Sequence, residues 1–238
     1  MLFWATFGHI PLTHNDSMTS PLVSMQKMTA IWLIPIMAPV VAAGSGGLLA
    51  SVLPNKSHAL WTLIISYILF GTGVPLAMGV LVMYFHRLTI YKIPPREVIV
   101  SCFLPLGPLG QGGFTIMLLG RVALRLFPET GTPKGMPAQH AGEIFYCVGL
   151  FIGIIMWGFA VVWLFFAIAS ISSSRFPFNM GWWGFTFPLG VFSVLMTTIG
   201  KELSSRFFAV LGTVRETILP LHHPLLLYLA NRRCKTDE

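Results

Sequence analysis

Ile144-Phe-Tyr-Cys-Val-Gly-Leu-Phe-Ile-Gly-Ile-Ile-Met-Trp-Gly-Phe-Ala-Val-Val-Trp-Leu-Phe-Phe-Ala-Ile-Ala-Ser-Ile-Ser-Ser-Ser174 runs without a single Asp, Glu, Lys or Arg. A helix needs roughly 20 apolar residues to cross a hydrocarbon core, and this stretch is long enough. Met28–Asn55, Ser57–His86, Val98–Gly120 and Phe176–Gly200 are charge-free in the same way. The chain therefore reads as an all-α, polytopic transmembrane helical bundle. Its spans are expected near Thr29–Leu53, Ala59–Phe85, a third ending about Leu119, Glu143–Ile171 and Met180–Ile199.

Working outward, composition agrees. Charged residues are 10% of the 238, hydrophobic ones 55%, and mean hydropathy is +0.75; ordinary soluble domains carry about 25% charge. The net charge of +7 is spread through the connections and not gathered on one stripe, which argues for headgroup contact and against nucleic acid. Cys102, Cys147 and Cys234 are odd in number, with no C-x-x-C spacing; they read as small hydrophobes. Met1–Leu12 lacks the basic n-region and cleavage site of a secretory signal and looks like the tail of an upstream helix.

Three segments follow from this pattern. Residues 1–28 read as a helix remnant and a polar loop, 29–200 as the membrane-embedded transport domain, and 201–238 as a divergent tail with an interfacial character. Within 201–238, Pro220, His222, His223 and Pro224 break the apolar run. Arg121–Gly142, holding Pro128, Gly131, Pro133, Gly135 and Pro137, reads as an irregular loop outside the hydrocarbon.

Enzyme and metal chemistry find little footing. The seven histidines form no H-x-x-x-H pair and have no neighbouring Cys or carboxylate at ligand spacing, so no metal or cofactor is expected. No Asp or Glu lies in the five charge-free stretches, which removes the buried acids common in proton relays.

The breaks inside the spans carry the functional reading. Pro35 and Pro39 in the first, Pro105 and Pro108 in the third and Pro188 in the fifth should each cost a helical hydrogen bond. Lipid does not replace that bond, whereas a polar cavity can. Pro105-Leu-Gly-Pro-Leu-Gly-Gln-Gly-Gly113 is accordingly expected to unwind and present backbone N–H groups and the Gln111 amide to an anion; the plainer alternative is close helix contact through small residues. Ser45, Gln111, Gly112, Thr115, Thr186, Ser193 and Thr197 are the expected pore-lining positions, neutral groups that would hold an anion weakly enough to release it. Phe187 lies a turn deeper than Trp182 and Trp183, beside Pro188.

Asn179-x-x-Trp-Trp-x-x-Thr-Phe-Pro-Leu-Gly190, the Pro105–Gly113 string and Trp32-Leu-x-Pro-x-x-x-Pro-Val-Val-Ala-Ala43 together resemble the tellurite-resistance and dicarboxylate transporter family, over about residues 25–212. The last two strings most resemble its fungal sulfite efflux branch. The resemblance implies a ten-helix protomer whose odd helices line a central pore, three protomers to an assembly, in the plasma membrane. It implies that Phe187 matches the family's pore-blocking phenylalanine and that the link His86–Glu97 is cytoplasmic. The substrate it implies is a small anion, sulfite or bisulfite first, with malate or another C4-dicarboxylate as the alternative. On the same match the five spans correspond to the family's fifth to ninth helices, so the chain is expected to be truncated at both ends. A transport-dead partial subunit is the further alternative.

Overall fold

The computed structural model describes residues 30–91, 99–172, 184, 186–208 and 210. Among them every regular element is helical. A 3-10 turn at Ala30–Trp32 leads into α1, Leu33–Val52; α2 follows at Lys56–Tyr91. A second 3-10 turn at Ile99–Phe103 precedes α3, Leu106–Thr130, and then come α4, Ala138–Ser172, and α5, Thr186–Glu202. Four segments, Leu33–Val52, Lys56–Ile90, Ser101–Thr130 and Ala138–Ser172, are long and apolar enough to cross a membrane.

Two sequence expectations change. The first concerns prolines. Pro35, Pro108 and Pro188 each sit in the first turn of α1, α3 and α5, where the amide proton that proline lacks would have no helical acceptor anyway. Pro105 stands just ahead of α3. Of the five proposed breaks only Pro39 lies in a helix interior. The run Pro108–Gly113 is unbroken α-helix, so the irregularity falls at Leu104–Pro105 and not on the glycines.

The second concerns length. α3 does not stop near Leu119; it carries Arg121 and Arg125 on to Thr130. Leu, Ala and Arg are strong helix formers, and an arginine near a helix end can extend its charge to the interface. Gly131 then ends the helix in the left-handed region, φ 62, its N–H returned to the Phe127 carbonyl. No smaller conformational cost is available there, because an added Cβ disfavours that backbone. α4 likewise starts at Ala138, which shortens the expected loop from both sides. For the fifth span, residues 180–183 and 185 lie outside the described residues; α5 begins at Thr186.

Glycine contacts set the layering. A Cβ on Gly110 would stand 2.8 Å from the Phe192 nitrogen, one on Gly113 2.7 Å from Leu195, and one on Gly107 3.6 Å from the Phe187 ring. Paired positions rise together, so α3 and α5 are parallel. Met37 beside Gly107, Gly44 beside Gln111 and Thr115, and Gly47 beside Leu118 and Leu119 make α1 parallel to α3 as well. α4 runs the other way: Gly142 meets Leu124, Gly149 meets Ile116, and Gly153 meets Met117. Backbones this close gain dispersion and need no hydrophobic drive, which lipid cannot supply. α1, α3 and α5 thus form an inner row with α3 central, while α2 and α4 lie behind it.

The outer helices turn bulk to the exterior, with Trp61, Ile65, Phe151, Ile155, Phe165 and Ile168 exposed, a surface suited to lipid. Behind them, Tyr84 and Trp163 stack at 5.8 Å in a core shared with Leu33, Leu81, Leu109 and Phe192.

Candidate functional site

α3 is the most enclosed span, 78% of its apolar window being buried against 28% for α2 and α4. Apart from Leu124, the accessible residues it retains over its inner turns fall on one stripe: Gln111, Phe114, Leu118, Arg121 and Arg125. Their spacing of three and four residues keeps them on one helix face. α5 leaves a matching stripe, Phe187, Gly190, Val194, Thr197 and Lys201, and α1 leaves Ala38, Ala42, Ser45, Leu48, Leu49 and Val52. All three helices are parallel, so the stripes share a direction. Phe187 and Gln111 lie toward one end; Arg121, Arg125 and Lys201 lie at the other.

The expected pore-lining residues divide on this surface. Ser45 is exposed on α1, its hydroxyl donating to the Val41 carbonyl at 3.1 Å. Thr197 sits half-exposed on α5 and donates to Ser193 and Val194 carbonyls at 3.1 and 2.9 Å. Thr186 is exposed at the start of α5. Phe187 is 47% exposed, near Met37 and Gly107, a turn from Gln111.

Three others turn away. Gly112 faces α2 and α4, where a Cβ would stand 2.6 Å from the end of Met156 and 3.2 Å from Val74. One residue is about 100° of helix, so Gln111 and Gly112 cannot face the same side. Ser193 is buried at 2% exposure and donates to its own helix at Leu189, 3.1 Å. Thr115 is wholly buried between α1 and α3, its hydroxyl without a hydrogen-bond partner; a Cβ on Gly44 would come within 2.9 Å of it.

The cationic end was not foreseen. Arg121 forms an ion pair with Glu202, whose other carboxylate oxygen accepts a hydrogen bond from the Tyr146 hydroxyl. This node ties α3, α4 and α5 together. Burial pushes the Glu202 carboxyl up, but the hydrogen bonds from Tyr146 and Arg121 and the Arg121 charge outweigh it and hold it below its ordinary value. Lys56 approaches Glu129 at 3.6 Å. The available signal was the heptad-like spacing from Gln111 to Arg125, hidden because a charge-free window ends at Gly120. Among the described residues no three His, Cys, Asp or Glu side chains gather closely enough to hold a metal ion.

The profile of the voltage-dependent anion channel (SLAC1) family matches residues 2–227. The chain belongs to that family. The match bears out the resemblance carried by the proline and tryptophan strings and is wider than the 25–212 they covered. Among curated proteins, the chain is 55% identical over 221 residues to the sulfite efflux pump SSU1 of Arthroderma benhamiae, covering 93% of this chain and 58% of that relative. It is 30% identical to the sulfite efflux pump SSU1 of Candida albicans, over 79% of this chain and 42% of the relative. An uncharacterized transporter of Methanocaldococcus jannaschii shares 27% over 73% and 46%. The chain thus spans rather more than half the length of the fungal relatives it matches most extensively. No solved structure matches it. Family membership and the four spanning helices make it a multi-pass membrane protein.

Proposed function

We propose that this chain forms part of a conduit, not an enzyme, that moves small anions across the plasma membrane, with sulfite or bisulfite as the main cargo exported. The observation that carries the reading is the inner row itself. Its accessible stripes hold neutral amide and hydroxyl groups between Phe187 at one end and Arg121, Arg125 and Lys201 at the other, where Glu202 pairs with Arg121 and Glu129 with Lys56 and positive charge remains in excess. A cation passing this surface would meet net repulsion at that end. An anion would meet attraction at the mouth and weak, releasable contacts inside. The relatives named as sulfite efflux pumps support the choice of cargo.

Phe187 is the proposed gate: half-exposed, beside Gly107 and Met37, it can fill a narrow lumen without being locked in a core. Three such units in one assembly, each with its own pathway, remain part of the proposal. The test is sulfite export from a fungal host lacking its own exporter. Expression of the chain should raise the initial efflux rate and growth on sulfite. Membrane-inserted protein at normal level with an efflux rate equal to the empty host would refute the reading.

A further inference from the structure

A cavity of about 90 Å³ lies at the cationic end, between the α1–α2 hairpin tip and the last turns of α3, with Ser51, Lys56, Arg125 and Glu129 around it and Val122 and Leu126 in its wall. That volume holds a few waters or one small oxyanion, and is too small for a nucleotide. We propose that it is an oxyanion-binding site, a staging point from which the anion enters the α3 stripe.

The charges decide the sign of the ligand. Lys56 is partly answered by Glu129 at 3.6 Å, and Arg121, one turn back, is held by Glu202. Arg125 has no ion-pair or hydrogen-bond partner among the described residues. Two cations and one anion leave the cavity with a net positive charge. The helix start beside it adds little: the N–H groups of Ser57 and His58 already donate to Asn55 Oδ1 at 3.0 and 3.3 Å. The site is therefore built by side chains, with the Arg125 guanidinium as its main donor set, suited to two oxygens of one ligand.

Position links the site to the pathway. Arg125 lies two heptads beyond Gln111, on the same accessible stripe. An anion leaving Arg125 passes Leu118 and reaches the Gln111 amide without changing helix face. This staging role rests on the anion-conduit reading, whereas oxyanion binding itself does not. The ligand chemistry, a small group of three or four oxygens carrying negative charge, is shared by free sulfite and by a lipid phosphate.

Binding and transport are therefore measured apart. The full chain is purified in a neutral maltoside detergent, and sulfite binding is followed by titration calorimetry for the parent, Arg125→Gln, Arg125→Lys and Lys134→Gln. Lys134 lies on the exposed α3–α4 connection and controls for overall charge. Retention of phosphatidylglycerol is read on the same samples by native mass spectrometry. Arg125→Gln should weaken sulfite binding roughly tenfold or more, the scale of a lost charged hydrogen bond, with Arg125→Lys intermediate and Lys134→Gln unchanged. Loss of phosphatidylglycerol retention alone assigns the oxyanion site to a headgroup and overturns the staging role. Monodisperse Arg125→Gln protein with both ligands bound as by the parent overturns the site. Normal binding by the parent without any efflux would instead sink the conduit reading and leave the site standing.

Discussion

Replacing Gly110 with Ala separates two meanings of the glycine run in α3. The added Cβ would stand 2.8 Å from the Phe192 nitrogen, 2.9 Å from the Val191 carbonyl carbon and 3.0 Å from the Phe192 Cα. All three are backbone atoms of α5, so no rotamer change relieves the contact and the two helices must part by several tenths of an ångström. Overpacking of this kind costs about 1–3 kcal/mol, and the separation weakens dispersion along the interface. Alanine is also the better helix former by about 0.8–1 kcal/mol, which blurs a single measurement. Gly158→Ala in α4 removes that ambiguity, because nothing lies within 4 Å of its added Cβ. The difference between the two variants is the clash alone, about 1–3 kcal/mol. Gly112→Ala should fall between them, since its nearest neighbour at 2.6 Å is the flexible end of Met156. Unfolding in mixed micelles by added dodecyl sulfate, followed by tryptophan fluorescence, gives the order. Gly110→Ala and Gly158→Ala differing by less than about 0.5 kcal/mol, the scatter of ordinary surface changes, would refute the backbone-contact account.

Phe187→Ala should raise anion flux at unchanged surface expression, because Phe187 is 47% exposed, whereas Phe192→Ala, at 2% exposure, should cost about 3–5 kcal/mol and lower expression; lower expression with no gain in flux for Phe187→Ala would remove it as the gate. Glu202 has a depressed pKa, so its contribution to stability is full above the ordinary carboxylate range and is lost as pH falls through the lower folded value. Glu202→Gln should flatten the acid limb of a stability-against-pH curve, and an unchanged limb would show that the α3–α4–α5 node does not govern it. Asn55→Ala should destabilise the chain by about 1 kcal/mol through loss of the α2 cap. Asn15-Asp-Ser17 and Asn55-Lys-Ser57 are glycosylation sequons with the first expected span between them, so at most one should meet the glycosylation machinery, and glycan mapped to Asn15 would reverse the proposed cytoplasmic placement of residues 86–97.

Much of the fold was legible because hydrocarbon tolerates few charges. The charge-free windows located α1, α2 and α4 to within a turn or so at most ends. What they missed lies where charge and helix coincide. Arg121 and Arg125 ended the third window, and the prolines and glycines that follow invited a loop, yet α3 continues to Thr130. The rule that a charge ends a span concerns the solvent around the helix, and the backbone can remain helical beyond it. Proline was misjudged for a related reason: its cost depends on whether its position has an acceptor to lose. Pro35, Pro108 and Pro188 occupy first turns, where there is none.

The candidate site shows the same limit from the other side. A neutral residue in a span can face lipid, a neighbouring helix or an opening, and composition does not separate the three. Geometry does. Gln111 and Gly112 are adjacent in sequence, yet one lies on the accessible stripe and the other against Met156. Ser193 and Thr197 are four apart, and both donate within α5, but only Thr197 remains accessible. Glycines that looked like a permeation element are what let α3 approach α1, α4 and α5 closely enough to be the central helix. In the proposed conduit that central position gives the stripe from Gln111 to Arg125 its weight: tight contact covers most of the rest of α3, so an anion following the helix would meet the polar and cationic side chains of that stripe.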